Sequence, residues 1–191
     1  MNAVLPIPVP QRVKLTVAQF RTLHDAGALD AHGKTELIEG TIYAMNAQQA
    51  AHAVAKSRLA RRLGNALEAL GSRLDAVVEA TVAIPPTSAP EPDIVIAEVT
   101  AGERAYIPFD KVALAVEVSD TSRGFDLNEK AELYARHGLP EYWVLEIPTA
   151  TLHQMWSPSP QGYAERRTFP LGARVESVTI AGLAVETSGL I

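Results

Sequence analysis

The chain has 191 residues, 47% of them apolar and 20% charged, which is enough to bury a substantial core in a single domain spanning residues 1–191. It contains no cysteine, which excludes a disulfide framework and a thiolate zinc site and fits a reducing, cytoplasmic setting. No apolar run approaches the roughly 20 residues needed to cross a bilayer, and the net charge of −5 argues against a broad nucleic-acid-binding surface.

The chain opens MNAVLPIPVPQRVK, whose three prolines interrupt any signal-peptide-like apolar stretch, so residues 1–15 read as an extended arm. Thr16 is placed to cap a short helix, VAQFRTLHDAG, that stops near Gly27. TELIEGTIYAM follows, two short β-rich runs around Glu39-Gly40 that predict a hairpin. From about Gln48 to Leu70 runs the longest helical pattern. His52, Lys56, Leu59, Leu63, Ala66, Leu67 and Leu70 share one stripe at three- and four-residue spacing, closed by Gly71. Two polar side chains, His52 and Lys56, thus lie on the core-facing stripe near the helix start. Lys56, Arg58, Arg61, Arg62 and Arg73 make this segment basic, either as a solvated helix face or as a phosphate contact.

Three strand candidates come next: DAVVEATVAI, DIVIAEV and VALAVEVS. Prolines 85, 86, 90 and 92 punctuate the gap before the second. A helix is predicted from Asp126 to about His137, with Asp126 and Glu129 at capping-box spacing, a Gly138 stop and Pro140 beyond. EYWVLEI is a further strand. TLHQMW, GYAERRTF and ARVESVTI then predict a β meander toward the C-terminus. The middle of the chain therefore runs α-β-β-β-α-β, a mixed α/β class.

One strand carries a residue that does not suit it. In VALAVEVS, period-two alternation puts Val112, Leu114, Val116 and Val118 on one face and Ala113, Ala115, Glu117 and Ser119 on the other. A lone ionised carboxylate among small side chains on a covered strand costs several kcal/mol unless it is paired or metal-bound. The neighbouring strand begins EPDIVI, so Asp93 approaches Glu117 if the two strands pair. Two such carboxylates repel unless a proton or a cation separates them, and a hard divalent cation such as Mg²⁺ suits oxygen ligands. Lys130 lies at the edge of the stripe Leu127, Ala131, Tyr134 and Ala135, from where it can reach inward to the carboxylates. Carboxylates, a metal and an ammonium make an apparatus for phosphodiester hydrolysis. The same residues also admit plainer roles: Glu117 in an arginine salt bridge, Asp93 as a strand start, Lys130 as a snorkelling helix lysine.

PDIVI, AVEVSDTS and FDLNEKAELYARHGLPEYWVLEI together resemble the Uma-two family, which is grouped with the PD-(D/E)xK restriction-endonuclease-like superfamily. The resemblance takes in TELIEGTIYAM and His52 and covers roughly Thr16 to Ile147. It implies a restriction-endonuclease-like core with an N-terminal helix-hairpin, and Asp93 and Glu117 as metal ligands. Ser119 stands where the usual lysine would follow the acid, and the family pattern makes Lys130 the candidate instead. Glu36 or Glu39 resembles the acidic residue that an N-terminal element contributes, with Glu39 slightly preferred. His52 matches a recurrent histidine that lines the site or binds phosphate, and is otherwise a hydrogen-bonded helix-start histidine. The activity implied is a Mg²⁺-dependent endonuclease, with Mn²⁺ as an alternative metal, acting on DNA, or alternatively on RNA. The competing reading is a non-enzymatic interaction or dimerisation module on the same fold. A homodimer is the geometric expectation for double-strand cleavage.

Overall fold

Thr16 begins the first helix, α1 (Val17–Asp25), as expected: its hydroxyl accepts from the Gln19 N–H at 3.2 Å while the Gln19 side chain accepts from the Thr16 N–H at 2.9 Å. The computed structural model describes residues 12–100, 102 and 105–191, so most of the expected N-terminal arm, residues 1–11, lies outside the described residues. β1 (Thr35–Ile38) and β2 (Thr41–Ala44) form the predicted hairpin, with Glu36 directly opposite Tyr43. Its turn is Glu39-Gly40, both at positive φ (48° and 82°), as a two-residue hairpin of this twist requires. A side chain at position 40 would run into Lys14.

α2 (Ala50–Ala69) buries Ala55, Lys56, Leu59, Ala60, Leu63 and Leu67, close to the predicted stripe, while Leu70 beyond it is exposed. The strands that follow are β3 (Asp75–Val78), β4 (Val82–Ala83), β5 (Ile94–Ala97), β6 (Ile107–Pro108) and β7 (Val112–Ser119). α3, residues 123–136, is α-helical over Arg123–Phe125, π-helical over Asp126–Lys130 and α-helical again over Ala131–Arg136. The chain ends with β8 (Glu141–Glu146), β9 (Thr151–Ser159), β10 (Gly162–Pro170), β11 (Arg174–Glu176) and β12 (Ala184–Glu186). Among the described residues no helix is long and apolar enough to cross a membrane.

Six strands make the central mixed sheet, in the order β10-β9-β8-β7-β5-β3. Within this sheet only β7 and β8 are parallel neighbours, joined by α3 as a crossover. Because side chains alternate along a strand, the sheet has two apolar faces. Leu114, Val116, Val118, Ile94, Ile96, Trp143 and Leu145 pack under Leu59 and Leu63 of α2. Ala115, Val95, Tyr142 and Val144 pack against Leu133, Tyr134 and Ala135 of α3. Val112 joins this second face, not the face of Leu114 as strict alternation predicts, because the β5–β7 register shifts between Ile96 and Ala97.

Two expectations for the elements are corrected. The helix expected to start at Asp126 starts at Arg123, so Asp126 is inside it; its N–H bonds Ser122 O at 3.0 Å and its carboxylate accepts from the Ser122 hydroxyl. The C-terminal meander is only partly a meander. β9 and β10 extend the sheet, but β11 leaves it, pairs with β12 and covers α2 through Val175, Leu183 and Val185.

Glu141 anchors that departure. Its carboxylate has no solvent exposure and accepts from Trp143 Nε1 (2.6 Å), Gln154 Nε2 (2.6 Å), Ser177 Oγ (2.6 Å), Thr179 Oγ1 (2.8 Å) and the N–H groups of Val178 (3.1 Å) and Thr179 (3.0 Å). Burial pushes this carboxyl up, but the donors outweigh it and hold the group below its ordinary value of 4.5. A carboxylate with a depressed folded value stabilises the fold above its unfolded value and loses that contribution as pH falls through the folded one. Glu141→Gln should therefore lower stability by about 3 kcal/mol at neutral pH, since it turns an acceptor of charge-assisted bonds into a donor facing donors. The difference from wild type should shrink below pH 4.5, and urea midpoints measured across that range check it.

Candidate active site

The end of the sheet where β5 begins and β7 finishes receives side chains from both faces. Asp93 immediately precedes β5, and the pairing of Ile94 with Val116 brings it beside Glu117. The Asp93 N–H points at Glu117 Oε2 across 3.4 Å. The Asp93 side chain turns toward α2: Oδ2 accepts from the Val118 N–H at 2.8 Å and lies 3.2 Å from His52 Nε2. Oδ1 lies 3.4 Å from Gln48 Nε2 and 3.6 Å from Lys56 Nζ. Burial alone would push the Asp93 carboxyl up, but His52 and the Val118 N–H reverse it and hold the group below the usual range.

Glu117 points to the α3 side, as alternation predicts, and meets Lys130. Lys130 is 1% exposed, and its Nζ lies 2.9 Å from Glu117 Oε1. The same ammonium donates to Glu36 Oε1 at 3.1 Å, while Glu36 Oε2, at 2.9 Å, is in electrostatic contact without an aligned hydrogen bond. One ammonium is thus clamped between two buried carboxylates. Burial pushes the Glu117 carboxyl well up; Lys130 opposes this, while Asp126, Asp93 and Glu36 add to it. Burial works against the charge on Lys130, but Glu117 and Glu36 outweigh it and hold its ammonium firmly protonated.

Around this cluster lies a cavity of about 260 Å³, lined among others by Lys34, Glu36, His52, Asp93, Glu117, Asp126 and Lys130. The structure brings together Asp93, Glu117, Lys130 and His52, but not Glu39. Glu39 occupies the hairpin turn, half out of the protein, and its carboxylate pairs with Arg136 Nη2 at 2.8 Å. The preference for Glu39 over Glu36 is reversed for a simple reason: Glu36 lies within β1 and faces α3, while the turn carries Glu39 away from the cavity. His52 contributes Nε2 to Asp93 and keeps Nδ1 buried without a partner.

Sequence reasoning missed four neighbours. Lys34 donates to the Glu91 carbonyl at 3.0 Å; burial opposes its charge, but Glu91, Glu117, Glu36 and Asp93 outweigh it and raise its pKa. Gln48 and Glu79 both hold Lys56 Nζ at 2.6 Å. Glu79 adopts φ 52°, a conformation a glutamate rarely takes, and its N–H donates to Asp93 O at 3.2 Å. Asp126 is buried, and burial raises its carboxyl despite Lys130 and the Ser122 hydroxyl. Only Asp126 gave a signal, which the capping-box spacing disguised.

The basic face of α2 is also revised. Arg58 Nη1 donates to the carbonyls of Gly189 (3.0 Å) and Leu190 (3.5 Å), and Arg62 Nη1 to that of Glu186. Two of the four arginines of this basic segment therefore hold the C-terminal segment.

The sequence model described as "Uma2: Putative restriction endonuclease" matches residues 17–188. The chain belongs to the Uma2 family. None of the curated proteins compared matches this Uma2 chain. Among solved structures it is similar to a "putative nuclease belonging to DUF820" from Anabaena variabilis, with a TM-score of 0.65 and 18% identity over 85% of this chain and 88% of that one. The likeness supports a restriction-endonuclease-like fold for this Uma2 chain, the core that the resemblance of its motifs implied.

Proposed function

We propose that this Uma2 chain is a divalent-metal-dependent endonuclease that hydrolyses phosphodiester bonds in DNA, with Asp93 and Glu117 as ligands of Mg²⁺ or Mn²⁺. The observation that carries this reading is the buried cluster itself. Glu36 and Glu117 share a single ammonium, and Asp93 and Asp126 stand beside them, so acidic side chains outnumber basic ones at the cavity. No group of three or more His, Asp or Glu side chains forms a ready-made cation cage among the described residues. A site built on two carboxylates fits Mg²⁺ nonetheless, because that ion keeps several waters and completes its shell with substrate oxygens. Asp93 Oδ1 and Glu117 Oε2 have only long contacts, at 3.4 Å or more, and so retain lone pairs for it.

Bound there, the cation would supply an activated water and neutralise charge developing on the phosphate. The protein's own groups do the rest. Lys130 holds the Glu117 and Glu36 carboxylates in place and keeps a positive charge beside the reacting phosphate. The Val118 N–H and His52 fix the rotamer of Asp93. His52 acts through Asp93 rather than on the substrate, since its other ring nitrogen, Nδ1, is buried. Lys34 adds a second cation on the cavity wall.

Incubating the purified protein with plasmid DNA and with RNA, in Mg²⁺ or Mn²⁺, tests the reading. Cleavage that requires the metal and stops with chelator is expected. Intact substrates of both kinds with both metals, from a folded sample, would overturn it.

A further inference from the structure

Tyr43 is the only aromatic side chain among the exposed large apolar residues in the described part of the chain, at 39% exposure. It is also beside the candidate chemistry. The β1–β2 register puts it directly opposite Glu36, so both side chains project from the same face of the hairpin. Its ring centroid is 5.1 Å from that of Phe125, tilted by 48°, and Phe125 in turn lies 5.9 Å from Lys130 Nζ. Both rings line the cavity that holds Asp93 and Glu117, and the exposed amides of Asn46 and Gln49 lie along the same wall.

We infer that Tyr43 and Phe125 form a stacking platform for one unpaired nucleobase, so that nucleic acid reaches the site single-stranded or locally opened. This rests on the endonuclease reading and narrows its substrate class. Aromatic faces accept any base, because every base has a π-face, and they need that base out of its own stack. Neighbouring amides offer donors and acceptors of the kind that match base edges. A duplex keeps its bases stacked and is held chiefly through its phosphates, which call for a tract of cations. Here Arg58 and Arg62 are engaged by the C-terminal carbonyls, and the chain carries a net charge of −5. The cavity lining thus presents two aromatic rings, with Lys34 and the buried Lys130 as its only lysine or arginine side chains.

The test is equilibrium binding followed by fluorescence anisotropy, with Ca²⁺ in place of Mg²⁺ so that affinity is read without turnover. The probes are a short single-stranded oligodeoxynucleotide, RNA of the same sequence and the DNA duplex. Wild type should bind a single strand more tightly than the duplex, and the DNA and RNA arms report which sugar is preferred. Tyr43→Leu and Phe125→Leu keep apolar bulk and so keep the fold; each should weaken single-strand binding by about tenfold, within the range seen when one base–aromatic stack is removed. Tyr43→Phe, which keeps the ring, should retain wild-type affinity. Duplex preference by wild type, no single-strand binding, or unchanged affinity in both leucine variants would overturn the platform. Metal-dependent cleavage indifferent to Tyr43→Leu would overturn it too, and leave the endonuclease standing. Ring-dependent single-strand binding without cleavage would leave the platform standing and remove the endonuclease.

Discussion

Glu117→Gln should lower metal-dependent cleavage by roughly 10³-fold or more, because a metal's charge stabilisation is worth several kcal/mol and each 1.4 kcal/mol is tenfold. The substitution keeps the volume of a side chain that is 4% exposed, and it leaves Lys130 paired to Glu36. What it removes is the negative charge at the position best placed to meet a cation together with Asp93. Calorimetry separates this from misfolding. Wild type should bind Mg²⁺ or Mn²⁺, and an Asp93→Ala/Glu117→Ala protein with an intact thermal transition should not. Cleavage retained by Glu117→Gln would move the chemistry to another part of the chain.

The second large effect is on stability. Lys130→Met removes the one ammonium between Glu36 and Glu117 and leaves two carboxylates facing each other in a buried site. Breaking a buried pair from one side costs about 3–5 kcal/mol, since the remaining charge has neither water nor partner. The cost should appear as a lower urea midpoint. Adding Glu36→Gln to Lys130→Met should recover part of it by removing one of the stranded charges. A midpoint equal to wild type for Lys130→Met would show that the ion cluster does not hold the hairpin against α3.

The acids on the sheet were legible because a charge inside an apolar strand breaks the pattern that defines the strand. Glu117 stood out in VALAVEVS, and pairing with DIVIAEV drew Asp93 to it. His52 and Lys56 showed themselves in the same way, as polar residues on the buried stripe of α2. The choice between Glu36 and Glu39 was harder, since both flank one hairpin and each looks free to turn inward. Its answer lies in backbone conformation: Glu39-Gly40 supplies the two positive-φ residues of the turn, which leaves Glu36 as the strand residue. Asp126 was misread because Asp and Glu three apart also spell a helix start, and nothing local shows that the helix began a turn earlier. The fates of Arg58 and Arg62 depend on carbonyls more than 120 residues away, at Glu186, Gly189 and Leu190, beyond the reach of any local pattern.

The bond from Lys130 to Glu36 joins residues 94 apart in sequence. No early, locally formed substructure can contain both, because closing so long a loop costs entropy that is recovered only when the surrounding elements dock. The cluster therefore cannot form before β1 docks against α3. A half-folded chain has its strand acids, but it lacks the clamp that sets their spacing. The proposed endonuclease site would then be complete only in the finished fold.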